Sequence, residues 1–423
     1  MTATGRKQRP RVARAMPCAI TRCLLDSGSR LALTGEIMTR FIAGTMRRIS
    51  RPLAVGVLIS VTSLSSLAAV EQPLPAPDAI ALAELDGFAL GLEEANQFSG
   101  VVLVARDGHV LFEKAYGKTD EKVEEKSDAP VTLDTRFNLA SAGKMFTATA
   151  ILQQIAMGRL TLDTTVGEVL KDYPNKAFAT TVTVRHLLTH TGGAGDIDLF
   201  GTEHADNRER VHSVADMVAL HGNRAPAFVP GSNQEYGNFG HVVLGRMVEV
   251  LSGEDFESYI RRHVFEPAGM THTGFVDCTE RAPDIAIGYA TVGDRHVPNC
   301  ITQPTRGFPA GGELSTAGDM YRFVMALQAG KLIPAALFAD AVKSHYEFMG
   351  LGFFATGYGP GVPEHEFRWG HGGSSDGACV DVRTYPKTGE TIIVLSNKDM
   401  PGGFSIANFL HKQWSRKARA SKS

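Results

Sequence analysis

Tryptophan is nearly absent, with two in 423 residues, and cysteine is sparse, with five. No C-x-x-C pair occurs, so a zinc ribbon or a thioredoxin-type redox site has no support. No internal repeat or low-complexity run is visible, and the composition excludes collagen, coiled coil and wholesale disorder. The formal net charge is only −2, which gives no reason to expect a nucleic-acid partner. The one apolar run of note, residues 53–61, is followed by serines and is too short and polar for a good transmembrane span.

What remains is an ordinary globular balance, 43% hydrophobic and 21% charged. The length exceeds the roughly 250–300 residues at which single cores stop growing, so one composite domain or two is expected. The small net charge hides a split. Residues 1–69 carry 11 Lys/Arg against 2 Asp/Glu, and the rest carries 32 against 43. A basic leader on an acidic body reads as an export signal on a soluble protein. Arg47, Arg48 and Arg51 form its basic region, 53–61 its apolar core, and Ala68 and Ala69 its cleavage positions before Val70 and Glu71. The paired arginines do not extend into a twin-arginine pattern, so Sec-type export to the periplasm or medium is expected. The true start is Met38 or Met46 on this reading, and no fold is expected from residues 1–37. After cleavage no membrane span is expected. Cys18 and Cys23 precede the signal, leaving Cys278, Cys300 and Cys379 in the body. Cys278 and Cys300 could be bridged in an oxidising compartment, or could stand as two buried thiols; spacing alone does not choose.

Residues 70–77 form a proline-rich linker. A helical pattern runs to about residue 96, followed by strand patterns at 100–105 and 110–116 joined by an Asp107-Gly108 turn. A long helical pattern covers 141–157. Residues 160–330 read mostly as helix and loop, with Thr316 capping a helix over 317–328 and Asp319 three residues on. Strand patterns return at 351–355, 378–384 and 391–396, and an amphipathic helix closes the chain at 404–414. The order implies an α+β fold. One antiparallel β-sheet, flanked by N- and C-terminal helices and built from 78–158 and 331–415, carries an inserted, mainly helical domain at 159–330, with a tail at 416–423.

Ser141-Ala142-Gly143-Lys144 is an S-x-x-K pattern at a helix start, and spacing i,i+3 puts Ser and Lys on one face. Serine is a weak nucleophile and needs an adjacent base, which a desolvated lysine can supply. A helix N-terminus also points free N–H groups at a developing oxyanion. Alone the pattern is common; here partners follow in order. They are Leu187-Leu188-Thr189-His190-Thr191-Gly192-Gly193, Tyr236-Gly237-Asn238, Pro309-Ala310-Gly311-Gly312-Glu313-Leu314-Ser315-Thr316, and His371-Gly372-Gly373 placed immediately before a strand. S-x-x-K, Y-x-N and H-x-G in this order resemble the serine β-lactamase and penicillin-binding-protein superfamily. The branch most resembled is the class C β-lactamase-related one, with its D-alanyl-D-alanine carboxypeptidases, D-aminopeptidases and esterases. The resemblance covers roughly residues 95–400.

It implies a β-lactamase/transpeptidase-like fold and an acyl-transferring serine hydrolase with no cofactor and no metal, acting on a small-molecule or peptide substrate. Ser141 would be the acylated nucleophile, Lys144 and Tyr236 would shuttle its proton, and Asn238 would bind the substrate amide and Lys144. His371, Gly372, Gly373 and Ser374 would line the opposite strand edge, with the N–H groups of Ser141 and Ser374 as oxyanion hole. The competing expectation is a penicillin-binding sensor that acylates without efficient turnover. A histidine, His371, stands where β-lactamases usually carry a lysine. With an ordinary pKa of about 6.5 it would be mostly neutral at pH 7, and its protonation on acidification would favour carboxylate substrates.

Three look-alikes are set aside. Lys387-Thr388-Gly389 matches the usual third β-lactamase element but lies between two strand patterns after Pro386, as in a hairpin turn. Gly373-Ser374-Ser375-Asp376-Gly377 matches G-x-S-x-G, but an elbow needs a helix after it and a strand pattern follows. His186 and His190 stand at i,i+4 without a third ligand.

Overall fold

The structure is a computed structural model that describes residues 76–120, 129–196 and 211–420. The basic leader, its cleavage positions, Cys18 and Cys23 lie outside the described residues. In β1 (Gly100–Arg106) the sequence G-V-V-L-V-A-R is apolar on both faces, and the structure uses both. Val101, Leu103 and Ala105 enter one core while Val102 and Val104 enter another, as the two-residue period of a strand demands.

β1 pairs antiparallel with β2 (His109–Tyr116) and with β10 (Glu390–Ser396), Val102 standing opposite Val394. Beyond β10 come β9 (Ala378–Thr384), β8 (Arg368–Ser375) and β7 (Phe354–Thr356), all antiparallel, giving the order β2-β1-β10-β9-β8-β7. Short strands β3 (Phe137–Asn138) and β6 (Leu314–Ser315) pair with each other. Among the described residues the first and last helices, α1 (Ala76–Glu94) and α7 (Gly402–Ala420), cover one face through Leu85, Ala89, Ile406 and Leu410. Phe88 stacks on Phe409 with ring centroids 4.8 Å apart, and Arg383 on β9 holds both Asp381 and Asn408 of α7. Removing one partner of such a buried ion pair typically costs about 3–5 kcal/mol.

The other face supports the larger core. There α2 (Lys144–Ala156) is buried almost along its length, and Phe146 meets Phe265 and Phe323 edge-on. Around it lie α3 (Val184–Leu188), α4 (Val214–His221), α5 (Phe239–Ser252) and α6 (Ala317–Gln328). Thr316 caps α6 by accepting the Asp319 N–H at 3.1 Å, as expected.

Four sequence expectations are corrected. β8 has no expected counterpart, so His371 lies inside a strand rather than before one; R-W-G-H-G-G-S-S carries no apolar alternation to betray it. The middle region contains a hairpin, β4 (Tyr289–Val292) with β5 (Arg295–Pro298). The strand expected at 351–355 shrinks to β7, because Gly352 takes φ +79° and packs on Ala148. The helix expected from 141 begins at Lys144, after a 3-10 turn over Ala140–Gly143. Cys278 and Cys300 are joined by a disulfide, and Cys379 is a buried free thiol.

Candidate active site

The nucleophile turn is held from three sides. Asn138 Oδ1 accepts the Ala140 N–H at 2.7 Å, and Ala140 is forced to φ +43°. For a residue with a Cβ this conformation costs about 1–3 kcal/mol, so the surroundings must impose it. They do so through the glycine pair: the Gly312 N–H donates to Ala140 O at 3.1 Å, and a Cβ on Gly311 would collide with that same carbonyl. Ser141 follows, half-buried and reachable.

Lys144 is fully buried one turn on. Its Nζ lies 2.9 Å from Ser141 Oγ, 2.7 Å from Asn238 Oδ1 and 2.9 Å from Ala310 O. The same nitrogen stands 5.0 Å from the centroid of the Tyr236 ring. As an ammonium it spends its three hydrogens on those acceptors; as an amine it can instead accept the Ser141 proton. Asn238 sits at the N-terminus of α5, fixed by the Asp196 carboxylate on its N–H (3.1 Å) and its Nδ2 (3.0 Å).

Opposite, β8 lies across the turn. A Cβ on Gly373 would stand 3.0 Å from the Ser141 and Ala142 nitrogens, so only glycine lets the strand approach those N–H groups. Gly372 and Ser374 flank it on β8, Ser374 opposite Cys379. His371 is buried, stacks on Phe354 with centroids 4.0 Å apart, and donates its Nδ1–H to Gly372 O. Its ring is 6.3 Å from that of Tyr236. Burial, reinforced by the Lys144 charge, pushes its pKa down to about 3. That corrects the expectation of an ordinary imidazole: burial keeps His371 neutral near pH 7 and well into the acidic range. Behind Tyr236, His190 takes φ +57°, accepts the Gly237 N–H at Nδ1 (3.4 Å), packs tilted against Tyr236 and stacks on His241. Burial depresses both of those imidazoles well below their ordinary range as well. The wall around Lys144 is therefore aromatic and uncharged.

The structure thus gathers Ser141, Lys144, Tyr236, Asn238 and the His371–Ser374 edge into one locus. The sequence model of the family described as Beta-lactamase matches residues 78–412. The chain belongs to the beta-lactamase family. It is 31% identical over 303 residues to the putative penicillin-binding protein PbpX of Bacillus subtilis, covering 70% of each chain. It is 30% identical over 322 residues to the esterase EstB of Burkholderia gladioli, covering 67% of this chain and 80% of that one. The crystal structure of a penicillin-binding protein from Bacillus halodurans superposes with a TM-score of 0.66 at 27% identity, covering 76% of this chain and 98% of that one. These similarities make it a serine hydrolase of the beta-lactamase fold.

Within this beta-lactamase-family chain the look-alikes fall outside the locus. Lys387-Thr388-Gly389 forms the exposed turn between β9 and β10, with Gly389 at φ +81°. Gly373–Gly377 spans the end of β8 and its hairpin into β9, with no helix after it. His186 serves the start of α3, where its Nδ1 accepts the Thr183 N–H at 3.3 Å. Sequence reasoning missed Asn138, Gln303 and Glu313. Gln303 Oε1 accepts from Asn138 (2.9 Å) while its Nε2 donates to Ser375 Oγ (2.8 Å) and Asp376 O (2.9 Å), tying the nucleophile strand to β8. A lone glutamine in a loop carries no pattern that would have marked it. Glu313 carried one: an acid between two glycines and a leucine, in a segment otherwise small and apolar.

Proposed function

We propose that the protein is an exported serine hydrolase that forms an acyl-enzyme on Ser141 and acts on uncharged esters or amides, D-amino-acid derivatives included. The observation that carries the reading is the 2.9 Å contact between Ser141 Oγ and a fully buried Lys144 Nζ. In this reading the Lys144 amine takes the Ser141 proton as Oγ attacks the substrate carbonyl carbon. The oxygen that becomes negative lies between the Ser141 N–H and the N–H of Ser374. Collapse breaks the bond to the leaving group, which leaves with a proton relayed through Tyr236. Asn238 holds Lys144 and the substrate amide. Water then repeats the sequence on the acyl-enzyme and frees Ser141.

Relatives named as penicillin-binding proteins favour a second reading, in which the acyl-enzyme forms and persists. Intact-mass spectra after benzylpenicillin and after a fluorophosphonate separate the two. An adduct on Ser141 that decays supports turnover, a stable penicilloyl adduct supports the sensor, and no adduct with either reagent sinks both.

His371 makes a prediction of its own. Because its neutral form persists down to about pH 3, the ratio of kcat/KM for a carboxylate-bearing substrate to that for its methyl ester should be flat from pH 5 to 8. A ratio that climbs as pH falls through 6.5 would show that His371 protonates and reads substrate charge.

Export rests on the basic leader and on the Cys278–Cys300 disulfide, a bond that persists in oxidising compartments. Sequencing of the mature native protein should place its N-terminus between Ala68 and Glu71; a start upstream of Arg47 would contradict export by this signal.

A further inference from the structure

Glu313 has no exposed surface, and among the described residues its carboxyl oxygens have no hydrogen-bond partner beyond the backbone N–H of Glu313 itself. It is packed against the residue between nucleophile and base. A Cβ on Gly143 would land on Glu313 Oε2, and one on Gly307 would stand 3.0 Å from Glu313 Cγ. Its own carbonyl accepts the Leu139 N–H at 2.9 Å, and three residues earlier Ala310 O receives Lys144 Nζ. The segment that fixes the lysine thus also packs an acid against Gly143, the lysine's neighbour in the chain.

A buried carboxylate with no hydrogen bond from another residue is far costlier than the neutral acid. The charged groups facing Glu313 are Lys144 on α2 and, from the helix Phe256–Ile260, Glu257, which pairs with Arg306 at 3.4 Å. Burial dominates and pushes Glu313 up to about 8; its own backbone N–H and then Lys144 pull the other way, and Glu257 adds to the rise.

Resting on the reading of Ser141 as nucleophile and Lys144 as its base, we propose that Glu313 is a positioning residue that sets the charge of Lys144. As a neutral acid it leaves the amine able to take the Ser141 proton; as a carboxylate it fixes Lys144 as an ammonium and stops acylation. The proton lost by Glu313 goes to solvent, and no proton passes between it and the substrate.

The test compares wild type with Glu313→Gln in two readouts. The first is the second-order rate of fluorophosphonate labelling from pH 6 to 10. In wild type it should fall about tenfold between pH 7 and pH 9, the fraction protonated for a group titrating near 8. In Glu313→Gln that fall should disappear. The second is the melting temperature. An acid whose folded pKa lies above its unfolded value of about 4.3 takes up a proton on folding, so wild type loses stability as pH rises between the two values. The glutamine variant has no such loss, and its Tm advantage should widen from pH 5 to pH 8. Identical alkaline limbs in both proteins, or a Tm gap constant with pH, would overturn the proposal. Should the amide variant not fold, Glu313→Leu carries the same two readouts. If Ser141 is labelled at no pH, the catalytic reading fails instead, and the Tm series still decides whether the buried acid is neutral.

Discussion

Ser141→Ala should abolish covalent labelling by a fluorophosphonate and cut hydrolysis of an activated ester by about 10³-fold or more. The expectation rests on geometry, since Ser141 is the hydroxyl that the buried Lys144 amine touches. Ser375→Ala is the control that gives the result meaning. Ser375 stands in the middle of a G-x-S-x-G pattern, but at the end of β8, where its hydroxyl accepts from Gln303 rather than meeting a lysine as Ser141 does. Losing that one hydrogen bond should leave Ser141 labelled. The opposite pattern, a dead Ser375→Ala and an active Ser141→Ala, would place the nucleophile on the hairpin.

The parts of this site that were legible in the sequence are those whose chemistry is local. S-x-x-K needs only one turn to bring its two side chains together, and Y-x-N needs only the entry to α5. The strands β1 and β10 announce themselves by unbroken apolar runs, because both faces of the sheet are covered there. β8 does not, because its role is to come close rather than to fill space. Glycines at 370, 372 and 373 admit neighbouring backbone and ring atoms where a Cβ would not fit, and they erase the alternation by which strands are recognised. The titration of His371 was illegible for a related reason. Its neutrality comes from Phe354 stacked on it and from the Lys144 charge, two contacts made across more than a dozen residues of chain. Glu313 is the same case with the sign reversed: burial that depresses an imidazole raises a carboxyl.

Lys144→Met carries the second large effect, and it separates the base from the scaffold. Methionine keeps the length of the side chain in its buried slot and removes the nitrogen. Ser141 then has no proton acceptor of this kind, and loss of a general base typically costs about 10²–10⁴-fold in rate. Asn238 Oδ1 and Ala310 O also lose a donor, at about 1–3 kcal/mol for each group left buried and unpaired. Against that loss stands relief from burying an ammonium, which costs several kcal/mol before its partners compensate it. Activity should therefore collapse while Tm moves comparatively little. Lys144→Arg sharpens the distinction, because a guanidinium keeps the positive charge yet stays protonated and cannot take a proton. If the lysine serves as base, both variants lose fluorophosphonate labelling by about 10²-fold or more. The double variant Ser141→Ala/Lys144→Met should then be no worse toward an activated ester than Ser141→Ala alone, as residues acting in one step are non-additive. Labelling of Lys144→Arg within tenfold of wild type would show that a fixed charge suffices, and Lys144 would lose its place as the proton acceptor.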